Sequence, residues 1–446
     1  MKKGFIFDIN KCVGCQACVV ACQIENHTVS SIPWREVSIS NATMHPDIPL
    51  FDVSMACNHC EDAPCMKNCP ALAYTRDEPT GAVLHEADHC IGCKYCTWVC
   101  PYDAPKYNPV KGVVEKCNLC VQRVSQDLKT ACASACPVGA LDFGLIDIEP
   151  NNGVNGFPEV DIKPGIKMIP LRKKETVLNA IDLNEDEIDL YNSISHENKT
   201  KAKILLEDEW GLAVFTFMAS LLVAFFVADY FEAIIVIQPV FIGFGVLGML
   251  LSSMHLGNKK KAYRAILNIR NSWLSREILF YSLFIGGALL SFYFDGYKVL
   301  GILTMVSGFI ALVSIDNVYR VVQTIQPVKY HSASVVFTFF EIGLFLLNEY
   351  SLFIWVSAIK LGLYLFRKSI FKKRGLAIHP LLSIFRILLG FIVPLILLSY
   401  LNEEQYLFLI LPFILAGELI DRMEFYMELD IVSPKKAMEK EESELI

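Results

Sequence analysis

Cysteine is absent from residues 137–446, although the preceding part of this 446-residue chain contains all 16 cysteines. The opening segment MKKGFIFDINKC lacks both an apolar stretch and a twin arginine, so we expect no secretory signal there. Histidine is also scarce. Beyond residue 205 only His255, His331 and His379 occur, each near the end of a predicted helix. A b-type haem anchor needs histidine pairs inside helices, so no haem is expected.

The composition divides the chain into a polar part and an apolar part. Hydrophobic residues make up 53% of the sequence and the mean hydropathy is +0.40, which is too apolar for an ordinary soluble protein. The apolar excess begins at Leu212, so we predict a polar domain followed by a membrane domain. The formal net charge of -7 comes partly from the run at residues 184–190 and from the tail KEESELI, which we expect to be solvated or disordered. No nucleic-acid partner is expected.

The cysteines form four groups of four. The first and third groups have the spacing C-x2-C-x2-C-x3-C, the second and fourth groups lengthen its middle gap, and proline follows the last three groups. A 4Fe-4S cluster takes four thiolates, and two-cluster ferredoxins combine a tight triplet with a distant Cys-Pro corner. Sixteen ligands therefore predict four 4Fe-4S clusters. The groups are Cys12, Cys15, Cys18 and Cys22; Cys57, Cys60, Cys65 and Cys69; Cys90, Cys93, Cys96 and Cys100; and Cys117, Cys120, Cys132 and Cys136.

Zinc sites and disulfides are the competing interpretations of these cysteines. Zinc is usually held by two pairs of ligands from two C-x2-C loops, whereas each group here is a triplet with a fourth cysteine. Disulfides suit small secreted domains, but this chain continues into apolar segments. Gly14 and Gly92 favour clusters because they let the backbone turn closely around them. Near the cysteines lie His59, His85 and His89. Each cysteine group supplies four thiolates without them, so we place these histidines at the surface or around the ligands.

Three segments of the cysteine-rich part resemble the iron-sulfur subunit of the dimethyl sulfoxide reductase family. They are SMACNHCEDAPCMKNCP (residues 54–70), HCIGCKYCTWVCPYDAPKYN (residues 89–108) and EKCNLC (residues 115–120). The resemblance implies that residues 1–145 form an α+β ferredoxin-like domain of two two-cluster units. Some relatives have a tryptophan in place of one third-group cysteine and hold a 3Fe cluster, but this group is complete and Trp98 is additional. We therefore expect 4Fe-4S at all four positions.

The same resemblance implies that the last cysteine of each group ligates the cluster of its partner group. The first and fourth groups would share one unit, and the second and third would share the other. The implied ligand sets are Cys12, Cys15 and Cys18 with Cys136; Cys117, Cys120 and Cys132 with Cys22; Cys57, Cys60 and Cys65 with Cys100; and Cys90, Cys93 and Cys96 with Cys69.

Residues 209–425 have the pattern of an all-α polytopic membrane domain of about eight helices. A connector at residues 146–208 precedes it, with an extended strap at residues 159–171 and a charged second part that we expect to be helical or mobile; a charged tail at residues 426–446 follows. The predicted spans are 212–231, 233–254, 278–294, 299–318, 332–347, 351–366, 380–401 and 406–422.

The membrane part resembles the anchor subunit of the same family, a quinol oxidase without haem. The segment SSMHLGNKKKAYRAILNIRNSWLSREIL (residues 252–279) carries the resemblance, and NVYRVVQTIQP (residues 317–327) and ELIDRMEFY (residues 418–426) fit it more loosely. The two resemblances usually belong to separate proteins, so this chain is predicted to be a fusion of both.

Quinol oxidation requires proton acceptors at the membrane edge, because each electron pair leaves two protons behind. His255 is the first candidate and Glu277 the second, and Arg264, Arg320 and Arg422 are candidates for binding the quinone. A histidine that only caps a helix or pairs with Glu277 is the alternative for His255. For most other ionisable residues in apolar stretches we expect structural ion pairing. They are Asp316, Glu341, Lys360, Arg386, Glu418 and Asp421.

The predicted function is electron transfer from menaquinol or another quinol, through four clusters, to a separate molybdopterin-containing catalytic subunit. One alternative is a redox-coupled ion translocator in which buried charges such as Glu341 and Lys360 carry protons. A second is an anchor that only tethers, and a third is the same set of clusters used in reverse, from a dehydrogenase to quinone. The membrane lipid and the quinone pool complete the expected partners, and the catalytic subunit would determine the terminal substrate.

The predicted connections differ strongly in basic residues. Those after helices two, four and six hold 13 Lys and Arg residues, whereas those after helices one, three, five and seven hold only Lys298. The positive-inside rule therefore places the cysteine-rich domain in the cytoplasm, with the periplasm as the alternative. The 13 residues are Lys259, Lys260, Lys261, Arg264, Arg270, Arg276, Arg320, Lys329, Arg367, Lys368, Lys372, Lys373 and Arg374.

Overall fold

The computed structural model describes residues 2–41, 49–148, 151, 153–172, 203–294, 297–322, 324, 331–373, 379–400, 407–429 and 431–445. The chain divides into two compact units, which we call unit 1 and unit 2. Unit 1 comprises Met1–Lys203, Leu256–Arg264 and Ile431–Ile446, and unit 2 comprises Ile204–His255 and Ala265–Asp430. The charged second part of the predicted connector falls at residues 173–202, outside the described residues.

A three-stranded sheet organises unit 1. Strand β1 (Lys2–Asp8) lies at its centre. The strand that follows the last cysteine (Leu141–Ile146) pairs with it antiparallel, and Ile166–Ile169 pairs with it parallel. The last of these strands lies within the predicted strap and alternates buried Ile166 and Met168 with exposed residues. Within the predicted extended strap the strand covers Ile166–Ile169 only, and its apolar face belongs to the core.

Short hairpins and helices surround the cysteine loops of unit 1, because four thiols in so few residues leave little chain for regular structure. The hairpins pair β2 (Glu36–Ile39) with β3 (Asp52–Met55), β4 (Tyr74–Arg76) with β5 (Val83–His85), and β6 (Lys106–Asn108) with β7 (Val113–Glu115). In the central sheet, Leu141–Ile146 is β8 and Ile166–Ile169 is β9. The helices are α1 (Ala17–Asn26), α2 (Pro64–Lys67), α3 (Tyr95–Val99), α4 (Val121–Val124) and α5 (Ala131–Ser134).

Unit 2 is helical, and each predicted apolar stretch overlaps one of its helices. Among the described residues, five helices are long and apolar enough to cross a membrane, or six if Gln238–Met254 is counted with the short helical segment after it; the five are Leu206–Tyr230, Trp273–Tyr293, Lys298–Arg320, Tyr350–Lys373 and Pro380–Tyr400. The membrane domain is thus multi-pass, whereas eight spans stay a prediction. The helices are α6 (Leu206–Tyr230), α7 (Gln238–Met254), α8 (Trp273–Tyr293), α9 (Lys298–Arg320), α10 (Val335–Leu346), α11 (Tyr350–Lys373), α12 (Pro380–Tyr400) and α13 (Leu407–Met427).

Several basic residues that the sequence placed in connections lie inside helices. Arg276 belongs to α8, Arg320 is the last residue of α9, and α11 continues to Lys373. Arg367 is fully buried, because carboxylates on α13 pair with it. The connections therefore hold fewer basic residues than predicted, although those near helix ends still count for the charge rule.

A π-helical turn interrupts α12 at Leu388–Ile392 and begins two residues after Arg386. Within this turn Gly390 meets Gly417 of α13, and a Cβ atom on Gly390 would collide with the Arg386 guanidinium. Two glycines and a local change of helical pitch thus make room for a fully buried cation.

The C-terminal tail forms a helix, α14 (Pro434–Leu445), which belongs to unit 1. Met438 is buried there, and the Glu441 carboxylate accepts hydrogen bonds from Asn155 Nδ2 at 3.0 Å and from the Gly156 amide at 3.1 Å. In the tail that was expected to be solvated or disordered, residues 440–445 are helical and Lys440 is exposed.

Candidate functional site

The four cysteine loops share one backbone feature. The residue two positions after the first cysteine of each group has a positive φ: Gly14 (63°), His59 (43°), Gly92 (70°) and Leu119 (61°). In the last three loops its amide donates to the first sulfur, Cys57, Cys90 or Cys117 Sγ, at 3.4–3.5 Å. Amides that point at sulfur stabilise a thiolate. The predicted glycine turns are confirmed, and two loops achieve the same turn without glycine.

Two of the implied ligand sets each surround a cavity. We call Cys12, Cys15, Cys18 and Cys136 site 1; they line one pocket. We call Cys57, Cys60, Cys65 and Cys100 site 2; they line a second pocket.

The other two implied sets are also brought together. In site 3 (Cys90, Cys93, Cys96 and Cys69), Cys96 interacts electrostatically with the other three thiols. In site 4 (Cys117, Cys120, Cys132 and Cys22), Cys22 interacts with Cys132 and Cys120, and Asn26 Nδ2 lies 3.7 Å from Cys22 Sγ and 3.9 Å from Cys120 Sγ. Each set thus joins three thiols of one group with the last thiol of another.

Burial makes these thiols poor anions without a metal. It raises the pKa of Cys22 to about 12, and it also raises the pKa of Cys65. A metal that binds these thiols would therefore displace their protons.

Arg35 is a buried residue near the cysteines that sequence reasoning missed. Its Nη1 donates to Ser54 Oγ at 3.0 Å, and its Nε has no hydrogen-bond partner within the described part of the chain. It interacts electrostatically with Cys132, Cys117 and Cys22 of site 4 and with Cys18 of site 1. A buried guanidinium facing thiols fits a site that carries negative charge.

Lys116 is a second buried cation beside the cysteines. Its Nζ donates to Cys57 Sγ at 3.4 Å, to the Cys117 carbonyl at 2.9 Å and to the Val83 carbonyl. Burial alone would lower the pKa of Lys116, but Cys57, Cys65 and Cys117 raise it above its ordinary value. Its position directly before Cys117 was the signal that could have identified it.

The three histidines near the cysteines have different surroundings. His59 is fully buried, and its Nδ1 accepts a hydrogen bond from the Val83 amide at 3.0 Å. Its pKa is lowered by burial and by neighbouring cations. His85 packs edge-on against Tyr74, whereas His89 lies 2.8 Å from Glu86 and is partly exposed. These contacts agree with positions around the clusters or at the surface.

The segment Leu256–Arg264 packs on site 3 within unit 1. The Asn258 amide donates to the Ile91 carbonyl at 3.0 Å, and Arg264 Nη2 donates to the Ala71 carbonyl at 3.2 Å. Gly92 and Gly257 approach so closely that a Cβ atom on either residue would collide with backbone. Arg264, predicted to bind quinone, is therefore engaged beside the loops of site 3.

In unit 2, Glu277 and Arg422 lie in one buried cluster. They interact electrostatically, and both interact with Tyr319 and Tyr426, whose hydroxyls hydrogen-bond to each other. Arg422 Nε donates to Thr216 Oγ1 at 2.9 Å, while its Nη2 has no hydrogen-bond partner within the described residues. The cluster offers the Glu277 carboxylate as a hydrogen-bond acceptor and the Arg422 guanidinium, with its unpartnered Nη2, as a donor. A bound quinol requires polar groups of both kinds.

The remaining candidates of unit 2 stay predictions. His255 is half-buried at the C-terminal cap of α7, as expected of a residue at a helix end. Arg320 is exposed at the end of α9. Glu277, by contrast, lies in the first turns of α8 and is 4% exposed.

A network of buried ion pairs connects α10, α11, α12 and α13. Lys360 Nζ lies 3.0 Å from Glu341 Oε2 and also contacts Glu418, and Arg386 Nη2 lies 2.6 Å from Glu418 Oε1. Arg367 lies 3.0 Å from Asp421. The expected ion pairing is confirmed for these residues, and the network extends to groups that the sequence did not single out. Its members are Glu341, Lys360, Arg367, Lys368, Arg386, Glu418, Asp421, Glu424 and Glu428.

Comparison with known proteins identifies both parts of the chain. Residues 49–146 match the family model of a 4Fe-4S dicluster domain, and residues 208–361 match that of the DMSO reductase anchor subunit. A subunit of the anaerobic dimethyl sulfoxide reductase of Escherichia coli (strain K12) is 39% identical over 152 residues, which cover 32% of this chain and 74% of that protein. The chain belongs to the dimethyl sulfoxide reductase family.

Two further relatives of this chain are named for thiosulfate and sulfite, not for dimethyl sulfoxide. The thiosulfate reductase electron transfer subunit of Salmonella typhi is 40% identical over 149 residues, covering 32% of this chain and 75% of that protein. A sulfite dehydrogenase subunit of Allochromatium vinosum is 32% identical over 210 residues, covering 40% of this chain and 88% of that protein. The predicted fusion is confirmed: the chain joins the iron-sulfur subunit and the membrane anchor in one polypeptide.

Proposed function

We propose that this protein oxidises a membrane quinol, with menaquinol as the first candidate, and passes the electrons through four 4Fe-4S clusters to a separate molybdopterin-containing catalytic subunit. The observation that carries the proposal is the arrangement of sixteen cysteines into four sets, each built from two groups. The clusters would supply one-electron transfer, which thiolate ligands permit over a wide range of potentials.

Shared neighbours give the four sites a linear order. Arg35 faces both site 1 and site 4, and Lys116 faces both site 4 and site 2. Tyr74 interacts with Cys65 of site 2 and with Cys69 and Cys96 of site 3. The sites therefore follow one another in the order site 1, site 4, site 2, site 3. In such a series each cluster could pass electrons to the next.

The two ends of this order differ in their surroundings. Site 3 is contacted by Leu256–Arg264, a segment that continues at both ends into helices of the membrane anchor. At site 1 Cys15 is exposed, and the exposed apolar side chains of Val13 and Val138 line the same pocket. We assign electron entry to site 3 and electron exit, at the face for the catalytic subunit, to site 1.

His255 and Glu277 are the proton acceptors in this proposal, and Arg422 is the quinone-binding donor. A carboxylate beside an arginine can accept a proton from a quinol hydroxyl while the arginine holds the neighbouring oxygen. Arg320 is the remaining candidate for quinone binding, and Arg264 holds the segment on site 3.

The test is quinol-driven reduction of the protein's own clusters, followed by their visible absorbance without oxygen. His255→Ala and Glu277→Gln should each slow reduction by a menaquinol analogue by about a hundredfold, the typical contribution of a general base. Reduction by dithionite should stay unchanged. Glu349→Gln, an exposed acid between α10 and α11, is the matched control. Wild-type rates in both variants would indicate an anchor that only tethers.

The cofactors can be counted independently. The purified protein should be brown and contain about sixteen iron atoms with acid-labile sulfide, four for each cluster. Stoichiometric zinc without sulfide would overturn the proposal. Cys22→Ser should damage the cluster of site 4 and leave sites 2 and 3 intact, if the ligand sets are as proposed.

The buried ion network favours proton translocation as a second candidate function. Along α11 it extends from Ser357, which donates to Glu341 Oε1 at 2.8 Å, to Lys368, a rise of about 16 Å. That is about half of a hydrocarbon core of roughly 30 Å. As a proton path the network would therefore reach from one face to the middle of the membrane. Proton release beyond the two protons per quinol that the chemistry itself yields, abolished by Glu341→Gln, would support this function.

Direction and sidedness are tested separately. The relatives include reductase subunits and a dehydrogenase subunit, so reoxidation of dithionite-reduced clusters by a quinone, without reduction by quinol, would indicate the reverse direction. We propose that unit 1 faces the cytoplasm, with the periplasm as the alternative. A reporter that is active only in the periplasm, fused after Ile446, should give no signal. The neighbouring gene would identify the catalytic subunit and thereby the terminal substrate.

A further inference from the structure

Two of the three junctions between neighbouring cluster sites contain a buried cation. Arg35 is 2% exposed and interacts with thiols of sites 1 and 4, and its Nη1 donates to Ser54 Oγ, which lies 3.3 Å from Cys18 Sγ of site 1. Lys116 is 3% exposed, and its Nζ donates to Cys57 Sγ of site 2 and to the carbonyl of Cys117 of site 4. The third junction, between sites 2 and 3, contains the neutral side chain of Tyr74. Among the described residues, no carboxylate forms an ion pair with Arg35 or Lys116.

We propose, resting on the function proposed above, that Arg35 and Lys116 are fixed counter-charges that raise the reduction potentials of the clusters beside them. Site 4 adjoins both cations, so its potential depends most on them. Lys116 has an additional direct effect on site 2, because its ammonium donates to Cys57 Sγ at 3.4 Å. Site 3 adjoins neither cation.

The physical reason is the change of charge on reduction. Each cluster becomes more negative by one electron when it is reduced, and a nearby positive charge stabilises that form. Solvent screens such an effect weakly at a buried position. Hydrogen bonds to the sulfurs and the net charge around a cluster are among the main determinants of its potential. Arg35 and Lys116 therefore act indirectly: each places a positive charge beside the cysteine ligands of a cluster.

Other charged residues also lie near the clusters and act on them together with Arg35 and Lys116. Lys203 interacts with Cys100 of site 2, and Lys2 interacts with Cys60 and Cys57 of the same site. Asp52 interacts with Cys12 of site 1 and opposes the effect of Arg35 there. At site 4 the additional charge is Glu25, which interacts with Cys120 and pairs with Arg123 at 3.3 Å. Because site 4 adjoins both Arg35 and Lys116, their effect should still be clearest there.

The experiment is a redox titration of the purified full chain, followed by electron paramagnetic resonance. Lys116→Gln should lower the equilibrium constant for one-electron reduction at sites 4 and 2 by at least about tenfold, which is about 59 mV. Sites 1 and 3 should shift less. Lys116→Arg keeps the charge and should restore most of the wild-type potential. Arg35→Gln should lower the potentials of sites 4 and 1 in the same way. Signals are assigned to sites 4 and 2 with Cys22→Ser and Cys100→Ser.

Two matched controls separate buried charge from other effects. Lys111→Gln removes the same charge from an exposed lysine that pairs with Glu115 at 2.7 Å, and it should leave all four potentials unchanged. Tyr74→Phe removes a buried hydroxyl without changing charge, and it should shift the potentials of sites 2 and 3 by less than Lys116→Gln shifts site 4.

Unchanged potentials in Lys116→Gln and Arg35→Gln, with full iron content, would overturn the inference and leave the proposed function intact. Absence of cluster signals from the wild-type protein would instead overturn the proposed function. If Lys116→Gln loses iron, Arg35→Gln carries the test at sites 4 and 1, and an unchanged site 4 potential there would refute the inference.

Discussion

Unit 1 and unit 2 bury charged side chains in different ways. In unit 1, Arg35 and Lys116 face cysteine thiols, and no carboxylate among the described residues forms an ion pair with them. In unit 2, the buried bases Lys360, Arg367 and Arg386 each lie within 4 Å of at least one buried carboxylate. Within the described residues, Arg35 and Lys116 of unit 1 have hydrogen-bond partners but no carboxylate, whereas the three buried bases of unit 2 are balanced by acids of the same unit.

This difference shows where each unit obtains its electrostatic balance. A buried charge is tolerated when it is paired and hydrogen-bonded, and it is strongly destabilising when its partner is removed. With the proposed clusters bound, the cations of unit 1 would obtain that partner from the cofactors, so we expect unit 1 to depend on them. The bases of unit 2 obtain it from helices that pack together, so unit 2 depends on its own side chains.

The largest expected effect is the loss of unit 1 without iron. Full-length protein made under iron limitation should retain the helical circular dichroism of unit 2, while unit 1 becomes sensitive to protease. We expect cleavage in unit 1 to be at least about tenfold faster than in the iron-loaded protein, since proteolysis follows the population of the open form. Equal resistance of unit 1 in both preparations would contradict this comparison.

A smaller effect should follow from removing one charge of the network in unit 2. Lys360→Met leaves Glu341 and Glu418 without their shared base and should cost about 3–5 kcal/mol, as for other broken buried pairs. Thermal unfolding in detergent measures this effect, and the iron content of unit 1 should not change. Lys298→Met removes an exposed lysine at the start of α9 and serves as the control. A cost no greater than that of the control would show that the network does not stabilise unit 2.

Local sequence was sufficient for features that depend on neighbouring residues. The spacing of the cysteines predicted their four groups, and the turns at Gly14 and Gly92 follow from the conformational freedom of glycine. The apolar stretches predicted the positions of the helices, because a run of apolar residues can be recognised without knowing which residues it packs against.

Features that depend on distant partners could not be predicted. Arg35 lies in a loop with no local sign of its role, and only the folded chain brings it to Cys18 and Cys132. Arg367 was placed in a connection because it follows the apolar stretch, yet Asp421 and Glu428 pair with it inside the bundle. The helical tail was missed for the same reason.

A glycine substitution tests how closely unit 2 fits around its charges. Gly390→Ala places a methyl group against the Arg386 guanidinium and should destabilise the protein by about 1–3 kcal/mol, the usual cost of overpacking. Gly362→Ala is the matched control, because a Cβ atom at that position of α11 has no heavy atom of the described structure within 4 Å. The control should be neutral or slightly stabilising, since alanine favours helix. Equal melting temperatures for both variants would contradict the tight fit around Arg386.

The smallest effect is expected for an ion pair at the surface of unit 1. Lys129 Nζ lies 2.6 Å from Asp142 Oδ1, but both side chains are about half exposed. Exposed pairs contribute roughly 0.2–1 kcal/mol, because water and salt screen them and two side chains must be ordered. Lys129→Ala, Asp142→Ala and the double variant form a cycle that isolates the pair by thermal unfolding of the iron-loaded protein. A coupling energy below about 1 kcal/mol that falls as salt is added is the expected result. A coupling as large as the cost of Lys360→Met would mean that exposure does not decide what a charge contributes, and the contrast between the two units would lose its physical basis.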